Sequence, residues 1–155
     1  MMIESIYSDW MGETQRDKIR QILRKVEASG RILDIGAGPG FLEEFLDDVV
    51  AVDIDLDNLK KAKGTKILAD GNHLPFPDKS FDTVFCIDSV HLIENSDEIE
   101  RVLSDGGRLI VSLFCNEYNS RERLEYLKSL FYLDIEKEFV VETEKEWDAV
   151  VVFSK

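Results

Sequence analysis

The chain has 155 residues, of which 44% are hydrophobic and 33% charged, a composition typical of one globular domain with a buried core. Its formal net charge of −13 would repel phosphate backbones, which argues against autonomous nucleic-acid binding. No apolar run reaches the roughly 18 residues of a membrane span, and no signal-peptide pattern is present, so we expect a cytoplasmic protein without a membrane segment.

The first predicted element is a helix that Thr14 would cap. The apolar side chains behind it recur at the 3.6-residue period of a helix with one buried face. These apolar positions are Ile19, Ile22, Leu23 and Val26. Gly30 follows where a left-handed helix terminus is expected, so the helix is predicted to end there.

Five short apolar runs come next, at residues 32–35, 49–54, 66–70, 83–87 and 108–114. They are nearly continuous rather than alternating, which is typical of parallel strands buried on both faces. Helices are predicted between them at residues 39–47, at 57–63 and from about Ser96, and after them at 120–131. Cys86 and Cys115 lie in or beside these runs, so we expect buried thiols and no disulfide or metal site.

The last 22 residues have a different pattern. Residues 134–142 and 147–153 are longer and partly alternating, and the polar residues 143–146 join them, which predicts an antiparallel hairpin. The predicted fold is therefore α/β: a doubly wound, mostly parallel seven-stranded sheet with a C-terminal antiparallel hairpin strand and helices on both faces. We expect one domain over residues 1–155, with an N-terminal lid and helix (1–30), a ligand-binding core (31–114) and a C-terminal helix and hairpin (115–155).

The most informative segment is the glycine-rich loop after the first predicted strand. Its glycines, Gly36, Gly38 and Gly40, are spaced G-x-G-x-G rather than the G-x-G-x-x-G of dinucleotide-binding folds. Glycines allow a tight turn and a close approach of the backbone to a ligand. The helix predicted behind the loop would point its free N–H groups at that ligand.

Two acids complete the pattern. Asp34 precedes the loop, where a carboxylate is unfavourable beside a pyrophosphate but favourable beside an ammonium or sulfonium group; a cap of the turn is the alternative. Asp53 ends the second predicted strand, 19 residues further on (positions 34 and 53), the spacing at which a carboxylate meets ribose hydroxyls. The predicted ligand therefore has a ribose and a positive charge and needs no phosphate site. S-adenosylmethionine has these properties. Asp55 and Asp57 are better explained as helix caps.

From about Ile32 to Leu113, the sequence resembles the class I, Rossmann-like S-adenosylmethionine-dependent methyltransferases, in particular their small methyltransferase domains. Four segments carry the resemblance: 33–40 (LDIGAGPG), 70–72 (DGN), 74–82 (LPFPDKSFD) and 101–109 (RVLSDGGRL). Asp105 stands where the family commonly has proline. The resemblance implies S-adenosyl-L-methionine as cofactor, S-adenosyl-L-homocysteine as product, and no metal.

The resemblance also implies roles for individual residues. Asp34, Gly36, Ala37 and Gly38 would hold the methionine end of the cofactor. Asp53 would bind the ribose hydroxyls, with Ile54 beside it. Asp70, Gly71 and Asn72 would form the adenine-binding turn, and Ile87 would border the cofactor from the fourth strand.

Methyl transfer is an in-line displacement, so the protein must above all hold the two reacting atoms in line. In this fold, ligands lie at the carboxyl ends of the strands, which brings the segment from Ile87 to His91 next to the methyl group. Asp88 and His91 are the candidate catalytic residues, as a base or as groups that orient the acceptor. His91 is equally well explained as a structural residue of the loop.

Tyr7 and Trp10 form a candidate lid over the cofactor, with ordinary packing of the first helix as the alternative. The expected acceptor is an oxygen, nitrogen or carbon nucleophile, on a small molecule or on a macromolecule that a partner presents; a homodimer could also complete the site. Two other classes remain as rivals: a non-catalytic S-adenosylmethionine-binding subunit, regulatory or scaffolding, and a nicotinamide-dependent oxidoreductase, which the glycine spacing and Asp34 oppose.

Overall fold

A computed structural model describes the backbone of residues 2–155 and the side chains of residues 10–155. The strands are β1 (Ile32–Ile35), β2 (Val49–Asp53), β3 (Thr65–Leu68), β4 (Phe81–Ile87), β5 (Leu103–Cys115), β6 (Asp134–Glu142) and β7 (Trp147–Ser154). The α-helices are α1 (Met2–Lys25), α2 (Leu56–Leu59), α3 (Asp97–Val102) and α4 (Ser120–Ser129). Two 3₁₀ turns, Leu42–Glu44 and Val90–Leu92, follow β1 and β4. In the part of the chain so described, no helix is long and apolar enough to cross a membrane.

All seven strands form one sheet, in the order β3-β2-β1-β4-β5-β7-β6. The first five strands are parallel, and β7 runs antiparallel to both β5 and β6. The predicted fold class is confirmed, including the C-terminal hairpin. The chain moves outward from β1 to β3 and then returns to β4 on the other side of β1. In a doubly wound sheet, a ligand cleft forms at this reversal, outside the carboxyl ends of the strands.

Helices cover both faces of the sheet. On one face, Ile19 and Ile22 of α1 pack against Phe85 and Ile110 in a buried cluster. The opposite face buries α3 and α4 in a second cluster, which includes Ile99 and Leu127. All four residues of β1 are buried, as the continuous apolar run predicted. Full burial of a Leu or Ile side chain contributes about 1.5–3 kcal/mol, so these two layers supply much of the driving force for folding.

Three local predictions are wrong, and one helix is shorter than predicted. The first helix ends at Lys25 rather than at Gly30, although Gly30 does have the expected left-handed backbone (φ 68°). Thr14 does not cap α1, because the helix begins at Met2; inside the helix, the Thr14 hydroxyl donates to the Trp10 carbonyl at 3.2 Å. Residues 39–47 form only a short 3₁₀ turn, because left-handed glycines hold the chain out of a helix up to Gly40 (φ 90°). The helix predicted over 57–63 is reduced to α2, which Asp55 caps by accepting from the backbone N–H groups of the next turn.

Candidate cofactor and acceptor site

Two adjoining clefts open at the carboxyl ends of β1, β2 and β4, where the strand order reverses. They measure about 320 Å³ and 280 Å³ and share Gly36, Ile87 and Asp88. Their combined volume lies within the range of small-molecule binding sites. Another cleft, of about 470 Å³, lies beside the C-terminal end of α1, with Arg108 and Glu136 in its wall. We do not place the ligand there, because it lies away from the carboxyl ends of the parallel strands.

The first cleft extends over the ends of β2 and β4, and the second lies between the glycine turn and α1. Beyond the shared residues, the first is lined by Ile35, Val52, Asp53, Ile54, Asn58, Ala69, Asp70, Gly71, Ser89, Leu92 and Ile93. The second is lined by Gln15, Ile19, Asp34, Ala37, Gly38, Pro39, Phe41 and Leu42. The structure therefore brings together nine of the ten predicted cofactor residues, and Asp88 with them.

The glycine turn is held against the end of β2. The backbone N–H groups of Gly36 and Ala37 both donate to the Val52 carbonyl, at 2.8 and 3.0 Å. Gly38 has a φ of 57°, and a Cβ built on it would meet no atom of the protein within 4 Å. The turn thus presents backbone to open space at Gly38, which is the arrangement needed for close approach of a ligand.

Asp53 lies directly opposite this turn. Its Oδ2 accepts the Gly38 N–H at 2.7 Å, and its Oδ1 accepts the Asp55 N–H at 2.8 Å. An ionised carboxylate offers about four lone-pair sites, so two remain for a ligand. A vicinal pair of hydroxyl groups, as on a ribose, supplies two matching donors.

Asp34 is almost fully buried beside Glu43 of the 3₁₀ turn. Burial, the charge of Glu43 and that of Asp53 raise the pKa of Asp34 well above its usual range, and burial also raises the pKa of Glu43. Both carboxyl oxygens of Glu43 are buried and lack a donor when both acids are ionised. A proton shared between the two carboxyls would provide a donor for one of these oxygens, and the raised pKa values favour such a proton.

The turn after β3 borders the first cleft through Asp70 and Gly71. Asp70 accepts the Asn72 backbone N–H at 2.9 Å, and this hydrogen bond lowers the pKa of Asp70. Asn72, the remaining predicted cofactor residue, lies outside the lining of both clefts. Its Oδ1 accepts the backbone N–H groups of Glu94 and Asn95, at 2.7 and 3.1 Å, and so ties this turn to the segment after β4.

Exposed apolar side chains form the rim of the first cleft. Ile54 is 70% exposed and Leu92 is 63% exposed, although both are large aliphatic residues. A flat aromatic group packed against these side chains would bury apolar surface. Sequence reasoning identified Ile54 but missed Leu92, because no sequence pattern predicts the short 3₁₀ turn on which Leu92 lies.

Asp88 follows β4 with a left-handed backbone (φ 54°) and donates its N–H to the Ser112 carbonyl at 3.1 Å. Its Oδ2 lies 3.0 Å from Nζ of Lys18, a lysine that is only 1% exposed. The same ammonium contacts Glu146 at 2.7 Å and Asp148 at 3.1 Å. Sequence reasoning found Asp88 but missed these three residues. The available signals were a lysine beside the apolar stripe of the first helix and an acid inside the apolar run 147–153.

The other candidate residues lie elsewhere. His91 is exposed on the 3₁₀ turn after β4, outside the lining of both clefts. Trp10 is 39% exposed and packs its ring against Lys145, whose Nζ lies 5.2 Å from the ring centroid. Tyr7 has its backbone in α1, but its side chain lies outside the described residues.

The two cysteines are free thiols in the core. Burial raises the pKa of Cys86 to about 12 and that of Cys115 to about 11. Neither thiol is therefore ionised near neutral pH, and neither can act as a nucleophile there. The predicted placement of both in buried strands is confirmed for Cys86 in β4 and Cys115 at the end of β5.

Comparison with known proteins gives one matching family, described as Methyltransferase domain, over residues 33–111. An uncharacterized protein of Methanocaldococcus jannaschii is 38% identical over 104 residues, which cover 61% of this chain and 46% of the relative. The matched part thus spans about half the length of that relative.

Solved structures share the fold over nearly the whole chain. A SAM-dependent methyltransferase of Thermotoga maritima, described as a possible histamine N-methyltransferase, superimposes with a TM-score of 0.73 at 17% identity, covering 99% of this chain and 97% of that one. A Haloferax volcanii structure of a complex with the Trm112 methyltransferase activator matches with a TM-score of 0.74 at 16% identity, covering 95% and 93%. At these identities the likeness concerns the fold.

Proposed function

The chain belongs to the methyltransferase-domain family, and on that premise we propose that it transfers a methyl group to an oxygen, nitrogen or carbon nucleophile of an acceptor. Its cofactor is S-adenosyl-L-methionine, which supplies an electrophilic methyl carbon and leaves as S-adenosyl-L-homocysteine. The observation that carries the proposal is the pairing of the Asp53 carboxylate with the open backbone of Gly38 at the reversal point of the sheet.

The residues of the two clefts fit this cofactor from end to end. Asp53 has two free lone-pair sites for the ribose hydroxyls. Ile54 and Leu92 provide apolar walls for the adenine, and Asp70 provides an acceptor for its amino group. On the other side, Gly36, Ala37 and Gly38 provide backbone for the methionine end, and the Asp34–Glu43 pair would interact with its ammonium group.

Asp88 is the proposed group nearest to the acceptor, because it lines both clefts and therefore lies where they meet. His91 follows Asp88 by three residues but lies outside the lining of both clefts. We keep it as a second candidate, which a His91→Ala variant with unchanged turnover would remove.

We further propose a small-molecule acceptor. The connection from β5 to α4 spans only residues 116–119, which leaves no room for a substrate-covering insertion there. Histamine, the acceptor in the description of the Thermotoga neighbour, is itself a small molecule. The Haloferax complex supports the other arrangement, in which a partner protein presents or completes the site. Gel filtration with light scattering, with and without acceptor, would also show whether a homodimer contributes.

The N-terminal lid remains part of the proposal. Gln15 and Ile19 of α1 line the second cleft, and Tyr7 and Trp10 precede them on the same helix. A chain that begins at Gly12 is expected to bind cofactor more weakly than the full chain. Equal binding and turnover by the shortened chain would remove the lid.

An acceptor screen tests the proposed function. The purified chain is incubated with S-adenosyl-L-methionine and a panel of amines, phenols, carboxylic acids and thiols, and release of S-adenosyl-L-homocysteine is measured. Turnover with at least one class is expected. Binding of the cofactor without turnover on any class would instead favour the non-catalytic regulatory or scaffolding role.

A further inference from the structure

A buried ionic cluster lies beneath Asp88, at the point where the two clefts meet. Its centre is the ammonium group of Lys18, which lies within 3.1 Å of carboxyl oxygens of Asp88, Glu146 and Asp148. Lys18 is 1% exposed and Asp148 is fully buried. If all three acids were ionised, the cluster would carry two negative charges in excess of its one ammonium group.

This excess charge is costly beside a fully buried carboxyl group, so a proton in the cluster is favoured. Burial and the adjoining Asp88 carboxyl raise the pKa of Asp148 to about 8, although Lys18 and the Ser112 hydroxyl act in the opposite direction. For Lys18, burial alone would lower the pKa, but Asp148, Asp88 and Glu146 outweigh it and raise the pKa. Asp148 is therefore the group expected to be protonated at neutral pH, while Lys18 stays charged.

The hydrogen-bond geometry also favours that proton. The Asp88 and Asp148 side chains lie within hydrogen-bonding reach of each other. Oδ1 of Asp88 is buried and has no donor when both acids are ionised. The oxygens of Asp148 already accept from Lys18 at 3.1 Å and from the Ser112 hydroxyl at 2.9 Å. A proton held between the two carboxyls supplies the donor that Oδ1 lacks.

We propose that Asp88 and Asp148 form a carboxyl pair that shares one proton, that Lys18 clamps the pair at the acceptor side of the cleft, and that the pair takes up the proton released by an N–H or O–H acceptor. This inference rests on the proposed function. Asp88 is the member that would touch the acceptor, because its side chain is 24% exposed and lines both clefts. Lys18 and Asp148 are positioning residues.

The proton balance of the step is complete. The lone pair of the acceptor nitrogen or oxygen forms the new bond to the methyl carbon, and the electron pair of the broken carbon–sulfur bond stays on sulfur. The proton of the acceptor passes to Asp88, which leaves the cluster with no excess charge. It then returns to water through the open cleft, and no further reactant is required.

The same charges define the class of acceptor. Asp34, Asp53, Asp70 and Asp88 line the clefts, whereas no lysine or arginine does so among the described side chains. An acceptor that carries a carboxylate or phosphate near its nucleophile would be repelled. An uncharged or cationic amine or hydroxyl compound is favoured.

The groups that face the pair come from three parts of the fold. They are Lys18 on α1, Ser112 and Cys115 on β5, and Glu146 just before β7. A pH profile must therefore be compared among variants of the pair, because several neighbours contribute to it.

The test uses Asp88→Asn, Asp148→Asn and Lys18→Met, with Asp105→Asn as control. Asp105 is an exposed acid that pairs with Lys79 outside both clefts. Asparagine tolerates a left-handed backbone, so Asp88→Asn is a conservative change at φ 54°. Infrared spectra of the four variants without ligand are compared at pH 6–9 for the band of protonated carboxyl groups. The Asp34–Glu43 pair also contributes to this band, but it does so equally in all four variants, so differences between them report on Asp88 and Asp148.

Asp148→Asn and Asp88→Asn are each expected to weaken that band relative to the control. Asp88→Asn should also lower kcat for amine and phenol acceptors by about 10²–10⁴-fold while the cofactor Kd stays within about threefold. Asp148→Asn and Lys18→Met should shift the pH profile of kcat.

An unchanged band and pH profile, or turnover with carboxylic acids alone, would overturn the inference. Absence of cofactor binding by the unmodified chain would instead overturn the proposed function. If Lys18→Met does not fold, the two asparagine variants decide.

Discussion

Gly38 donates its backbone N–H to the Asp53 carboxylate at 2.7 Å, across the gap between the ends of β1 and β2. This contact fixes the glycine turn relative to the carboxylate that is proposed to bind the ribose, before any ligand binds. Preorganisation of this kind lowers the cost of ordering the site on binding. Several consequences can be measured.

Gly38→Ala is expected to abolish or strongly weaken cofactor binding while leaving the chain folded. A Cβ at this position meets no protein atom within 4 Å, so it would fill the space proposed for the ligand. Gly106→Ala is the matched control, because Gly106 also has a left-handed φ (78°) and an unobstructed Cβ position, but lies outside both clefts. The free energy of unfolding should fall by a similar amount in both variants, about 1–2 kcal/mol, from backbone strain alone. Thermal melting and calorimetric titration separate the two effects; equal affinity in both variants would contradict the assignment of Gly38.

Thermal stability is expected to fall as the pH rises from 5 to 9. The folded-state pKa of Asp148, about 8, lies above the ordinary value of 3.8. Its stabilising contribution is therefore fully present below about pH 3.8 and is lost as the pH rises through 8. The raised pKa of Asp34 acts in the same direction. An acid whose folded-state pKa is lowered, such as Asp82, also stabilises the fold, but its contribution is lost only at acid pH.

Asp148→Asn should flatten this decline, because asparagine does not ionise. The comparison is made by recording Tm at half-unit steps of pH for the unmodified chain, for Asp148→Asn and for Asp105→Asn. Parallel curves for all three would show that Asp148 does not hold a proton in the folded state.

Asn72→Ala is expected to loosen the turn after β3. It removes the side-chain acceptor for two backbone N–H groups, those of Glu94 and Asn95. At about 0.5–1.5 kcal/mol for each lost hydrogen bond, Tm should fall by several degrees. Asn72→Asp keeps the acceptor oxygen but replaces the amide that donates to the Asp70 carboxylate at 3.0 Å, so it should recover only part of that loss. If Tm falls in the alanine variant and cofactor affinity falls with it, Asn72 acts through the turn; an unchanged Tm would contradict this role.

The elements that could be predicted from sequence are those marked by a clear run or alternation of apolar residues. The limits of β1 and β6 were predicted without error, because the short apolar run of β1 is followed by the glycine-rich loop and the partly alternating run of β6 is followed by polar residues. The 3₁₀ turn Leu42–Glu44 was predicted as a longer helix, because the apolar positions after Gly40 suit either structure.

The predicted cofactor site came from one local pattern, the glycine turn with Asp34 and Asp53. The cluster around Lys18 has no such pattern. Its members come from α1, the end of β4 and the start of β7, so they meet only through the tertiary fold. Most lysines lie at the protein surface, and the sequence alone does not show that three acids surround Lys18.

The measurement that tests the account most directly is calorimetric titration with S-adenosyl-L-methionine of the unmodified chain, Asp53→Ala and Asp57→Ala. Asp57 is the matched control, since it is an exposed acid four residues away that lines neither cleft. The account predicts binding by the unmodified chain and by Asp57→Ala, with affinity reduced at least tenfold in Asp53→Ala, as expected for hydrogen bonds to a charged group worth about 1.5–3 kcal/mol. Equal affinity in all three proteins, or no binding by the folded, unmodified chain, would contradict it.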